Sequence, residues 1–72
     1  MKKVIYQVLR SVVEVEDQSY DTYGIRCIKE NKVLKTVEDV SPEQGRVESL
    51  VAALNKEQLD PIQLDDVIED IL

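Results

Sequence analysis

Residues 37–54 read VEDVSPEQGRVESLVAAL, and the period of the apolar residues changes from strand-like to helix-like inside this stretch. Before Ser41, the run "KVLKTVEDV" (32–40) is rich in β-branched residues and reads as a strand. After Ser41 the apolar residues Val47, Leu50, Val51 and Leu54 fall at i, i+3, i+4 and i+7, one narrow stripe on a helix turning about 100° per residue. Between the two patterns stands a helix start. Ser41 is a good N-cap, Pro42 fits the first helical position, and Gln44, three residues on, completes a capping box. Val40 is placed to staple against the first turn. Gly45 weakens this helix by about 1 kcal/mol relative to Ala, and "NKEQL" ends it.

Working toward the C-terminus, Asp60–Pro61 repeats the N-cap and proline signal. Leu64, Val67, Ile68 and Ile71 again fall at i, i+3, i+4 and i+7. Working toward the N-terminus, "KENK" holds a tight turn at Glu30–Asn31, since Asn tolerates positive φ. "TYGIRCIK" precedes it as a second strand, with Tyr23, Ile25 and Cys27 on one face. Gly24 inside that strand signals a bulge or a close backbone approach. A two-residue turn would pair Cys27 with Leu34 and set Arg26 opposite Lys35, whereas a three-residue turn would set Lys35 opposite Cys27. The sequence leaves this register open. "EDQSYD" (16–21) reads as a polar turn, and "KKVIYQVLRSVVEVE" as a first strand reaching Val15, with a bend near Arg10–Ser11.

The expected fold is therefore α+β: a three-stranded antiparallel sheet (β-β-β) followed by two amphipathic helices packed on one face, in a single small domain over residues 1–72. Both faces of the first strand carry apolar residues, and the helices can cover only one. The second face either meets another subunit or is an ordinary apolar surface, and a homodimer is the preferred reading.

Composition narrows the function. Histidine is absent, which excludes Ser-His and Cys-His nucleophile pairs and any histidine-ligated metal. The single cysteine allows no internal disulfide, and no run is apolar enough to span a bilayer. The N-terminus opens with two lysines as a signal peptide would, but its apolar part is broken by Gln7, Arg10 and Ser11 and no small-residue cleavage site follows, so secretion is not expected. These point to a cytoplasmic protein. No glycine-rich phosphate loop exists. Residues 1–40 carry seven basic and seven acidic side chains, whereas residues 41–72 carry two basic and eight acidic. The whole net charge of −6 thus sits in the C-terminal portion. Such a surface repels phosphates. The basic residues around Tyr6, Tyr20 and Tyr23 are cancelled by neighbouring acids, so nucleic acid is not the expected partner.

The candidate site is the acidic side of the last helix: Asp65, Asp66, Glu69 and Asp70, opposite Leu64, Val67, Ile68 and Ile71. Amphipathicity alone explains the alternation, and a solvated face is the plain reading. It does not explain why every polar position is acidic, since acids near a helix C-terminus oppose its dipole. A basic protein partner is the functional reading. The chain has no calcium-loop spacing and no second wall to make a carboxylate cleft, so neither a metal nor any other cofactor is expected. Cys27, between Arg26 and Ile28, is either a thiolate activated by nearby cations or a small buried strand residue; the second is the commoner case.

The stretches "TYGIRCI", "KENK" and "LDPIQLDDVIEDIL" resemble a family of short bacterial proteins of unknown function, over Tyr20 to Leu72. The resemblance implies a small α+β domain from a bacterial cytoplasm and brings no activity, cofactor or catalytic residue with it. The functional expectation is a non-catalytic interaction module of regulatory or adaptor type. The alternative is a nucleic-acid mimic or antitoxin-like inhibitor filling a basic groove, and a carboxylate-based enzyme or metal protein ranks last.

Overall fold

The computed structural model describes residues 3–71, the side chain of Ile71 excepted. Strands β1 (Ile5–Val15), β2 (Gln18–Lys29) and β3 (Lys32–Ser41) form an antiparallel sheet in the order β1-β2-β3. Helix α1 (Gln44–Glu57) follows, then a 3-10 turn (Pro61–Gln63) leading into α2 (Leu64–Ile71).

The first hairpin is longer than the polar composition of residues 16–21 implies. Only Glu16 and Asp17 turn, both with positive φ (49° and 64°), so pairing runs to Val15 opposite Gln18. Two left-handed residues give a turn whose twist matches that of the strands, and Gln18–Asp21 therefore belong to β2. No bend interrupts β1, whose register is unbroken from Ile5 to Val15.

The second hairpin combines both registers left open by the sequence. Glu30 and Asn31 make a two-residue turn, again with positive φ, closing on Lys29 opposite Lys32. Ile28 faces Val33, and then a bulge at Leu34 shifts the pairing so that Cys27 faces Lys35 and Arg26 faces Thr36. The bulge removes the Arg26–Lys35 opposition without lengthening the turn.

A second irregularity surrounds Gly24. Ile25 pairs with Val37 but Tyr23 pairs with Ser41, so β3 carries extra residues here and Asp39 turns left-handed (φ 54°). A Cβ on Gly24 would overlap the carbonyl oxygen of Val37 and lie 3.0 Å from Glu38 Cα. The glycine is the close approach that its place in the strand predicted. Beside it the buried Thr22 hydroxyl donates to Asp39 Oδ1 at 2.5 Å.

The capping box at Ser41 does not form. Ser41 remains the last residue of β3, and α1 begins at Gln44 behind Glu43. Ser41 Oγ accepts the N–H of Glu43 at 3.1 Å, and Gln44 reaches forward to Glu48. The reason is not local: an N-cap is extended in any case, but pairing with Tyr23 claims Ser41 for the sheet, and the helix starts later, behind Glu43. The start of the second helical segment follows its sequence signal, with Asp60 Oδ1 accepting the N–H of Ile62 and Pro61 opening the 3-10 turn.

The core lies between one sheet face and the helices. Tyr6, Ile25 and Cys27 meet Val47, Leu50, Val51 and Leu54 of α1 and Leu64 and Ile68 of α2, with Val40 also buried. Leu64 is fully enclosed; burying such a side chain is worth roughly 1.5–3 kcal/mol. Val67 is half-buried at the margin. The expected core role of Ile71 lies outside the described side chains.

Candidate functional site

Helix α2 directs Leu64 and Ile68 inward and leaves Asp65, Asp66, Glu69 and Asp70 exposed. The four carboxylates are not equivalent. Asp65 Oδ2 lies 2.6 Å from Lys35 Nζ of β3, where Lys35 is less than one-third exposed. Lys35 projects to the helix-covered side of the sheet, opposite Cys27. Part of the acidic bias thus serves the docking of α2 onto β3. Asp66, Glu69 and Asp70 make no ion pair or side-chain hydrogen bond among the described residues, and no basic residue lies in the last turn of the helix. Among the described residues, no group of three acids or thiols is placed to hold a cation.

Cys27 is fully buried. Burial pushes its thiol up, the Tyr6 hydroxyl beside it partly opposes this, and the charge of Asp60 adds to the rise. Arg26 cannot activate it, because neighbours along a strand point to opposite faces. Cys27 is a core residue that stays protonated at neutral pH. Tyr6 is held protonated still more firmly, first by burial and then by its proximity to Cys27, and its hydroxyl donates to the Leu59 carbonyl at 2.6 Å. The three tyrosines do not form one surface: Tyr6 is buried, Tyr23 half-buried and Tyr20 exposed.

The residues that join α1 to the sheet edge belong to no motif in the sequence. Asn55 Oδ1 accepts the N–H of Tyr6 at 2.8 Å, and Asn55 Nδ2 donates to the Tyr6 carbonyl at 3.0 Å. Gln58 treats Val4 in the same way, at 3.1 and 3.0 Å. Two side-chain amides thus take the places that a fourth strand would occupy. Gln58 also ends α1, with left-handed backbone (φ 51°) and an N–H bonded to Leu54 O. One signal was present: Gln58 lies four residues after Leu54, where the apolar stripe calls for another apolar side chain.

Next to this latch, a shallow cleft of about 450 Å³ opens among Val4, Lys29, Leu34, Leu59, Asp60 and Ile62. The uncovered sheet face carries Ile5, Ile28 and Val33 in one row and Gln7, Arg26 and Thr36 in the next. Arg26 Nε is shielded there without a hydrogen-bond partner among the described residues. Among the described residues, no helix is long and apolar enough to cross a membrane.

These features define a small α+β protein that presents one carboxylate-lined helix beside a three-stranded sheet. The chain belongs to a family of unknown function (DUF6514), whose model matches residues 1–72. The match includes the first strand, so the family likeness is wider than the Tyr20–Leu72 span that carries the resemblance in sequence. Comparison with curated proteins and with solved structures found no match.

Proposed function

We propose that this protein is a non-catalytic cytoplasmic interaction module that binds a basic protein surface through Asp66, Glu69 and Asp70. The observation that supports this reading is the division of labour on α2. Asp65 is engaged by Lys35, while the other three carboxylates face solvent with no compensating cation on their helix. Like charges at Asp66 and Asp70 (i, i+4), and acids near a helix C-terminus, each cost a few tenths of a kcal/mol. A basic partner would relieve that cost on binding. Its charge would also speed encounter and make the association salt-dependent.

The test compares wild type, Asp66→Lys/Glu69→Lys and Lys35→Ala as baits in native extract at low and moderate salt. The charge reversal should remove a partner that wild type and Lys35→Ala both retain, and moderate salt should weaken the capture. Identical partner sets for all three baits would exclude the acidic face as the binding surface.

A further inference from the structure

The latch from α1 covers only the first part of the β1 edge. Val4 and Tyr6 spend their outward N–H and C=O groups on Gln58 and Asn55. Because the register of β1 is unbroken, alternation points the same groups of Val8, Arg10, Val12 and Glu14 outward as well. Among the described residues nothing bonds to them. Here the β1–β2 ribbon runs beyond the helices, and the molecule is elongated, 47 × 25 × 18 Å. Val12 is 62% exposed in the middle of this open edge.

We propose that this edge is a homodimer interface, in which β1 pairs antiparallel with β1 of a second copy about a two-fold axis at Val12. The occupant follows from charge. On the face that bears Val12, the flanking residues are Arg10 on one side and Glu14 on the other. An axis at Val12 sets Val12 opposite Val12 of the second copy and each Arg10 opposite a Glu14, giving two opposite-charge cross-strand pairs. On the other face the same register sets Leu9 opposite Val15, which is half exposed in the single chain. Moving the axis to Arg10 or Glu14 sets like charges opposite each other, an axis at Ser11 forfeits both ion pairs, and an axis at Val13 would set Arg10 opposite Glu16, which lies in the left-handed turn beyond the end of β1. The edge is therefore self-complementary in one register, as an isologous contact requires. Pairing here would join two three-stranded sheets into one of six strands and end the exposed ladder. Arg10 now bonds Asp21 of its own chain at 2.9 Å, with both side chains well exposed, and can reach Glu14 of a second copy without leaving a buried site. Edge pairing of this length buries less than the roughly 1,200 Å² typical of stable complexes, so association is expected only at high chain concentration.

Sedimentation equilibrium of the full chain up to millimolar concentration tests the proposal. The mass should rise from 8.2 kDa toward twice that value. Glu14→Arg leaves the Arg10–Asp21 pair intact but sets arginines opposite each other, and should weaken association roughly tenfold. The double swap Arg10→Glu/Glu14→Arg should restore it. Val12→Pro removes an outward N–H at an edge position where proline is tolerated, and should abolish association. Circular dichroism confirms that each variant remains folded. A chain that stays at 8.2 kDa throughout overturns the proposal, as does association that Glu14→Arg and Val12→Pro leave unchanged. A folded double swap that fails to restore association overturns the register.

Discussion

At the residue scale, Gly24 shows how one side-chain absence shapes the sheet. Its missing Cβ lets the Val37–Glu38 backbone close over β2, and that closure positions the left-handed Asp39 to accept the Thr22 hydroxyl. The obstruction in a Gly24→Ala variant is backbone, not the end of a flexible side chain. The variant should lose about 3 kcal/mol, at the upper end of ordinary overpacking costs. For a chain of this length that is a large share of the roughly 4–11 kcal/mol expected in total. Urea unfolding followed by circular dichroism reads the loss as a lower midpoint; an unchanged midpoint would show that β3 moves aside freely. The glycine's role was legible in the sequence because glycine weakens a strand unless a bulge or a close backbone approach requires it. Its partners were not, because they lie on a strand whose register two bulges alter.

At the element scale, two amides add to the apolar packing that joins α1 to β1. Asn55 supplies both an acceptor and a donor to one backbone residue, so Asn55→Ala strands two part-buried groups of Tyr6. The expected cost is about 2 kcal/mol. Gln58→Ala should cost less, since its bonds to Val4 are exposed and water can replace them. Amide hydrogen exchange separates the two variants: Tyr6 should lose protection in Asn55→Ala and retain it in Gln58→Ala. Equal protection of Tyr6 in both would contradict the latch. The apolar stripes of both helices could be read directly, because each depends on spacing within one element. The failed capping box marks the limit of such reading. Ser41 has the right neighbours for an N-cap, but pairing with Tyr23, 18 residues earlier, claims it for the sheet.

At the scale of the whole molecule, Tyr6 and Cys27 tie global stability to alkaline pH. Both groups are shifted upward from their ordinary values of 10.0 and 9.0, chiefly by burial. Above about pH 9 the unfolded chain releases protons that the folded chain keeps. Their contribution to stability is therefore complete below that pH and declines as pH rises through the folded-state values. Urea midpoints should be flat from neutral pH to about 9 and then fall. Tyr6→Phe should lower the plateau, through loss of the Leu59 hydrogen bond, and flatten the decline above it. An equally steep decline in Tyr6→Phe would remove Tyr6 as a cause.

Element types and their order, the apolar faces of both helices, the tight turn at Glu30–Asn31 and the acidic side of α2 were all readable from the order of residues. Each follows from periodicity or turn chemistry within a few positions. The bulges at Leu34 and around Asp39, the amides that close part of the β1 edge, and the pairing of Asp65 with Lys35 came only with the packed chain. These link residues 30 to 54 positions apart or depend on strand register, and no local pattern encodes which distant group a polar side chain will meet. The acidic helix is the clearest case. Its composition is plain in the sequence, but only packing against β3 separates Asp65, which serves the fold, from Asp66, Glu69 and Asp70, which face solvent.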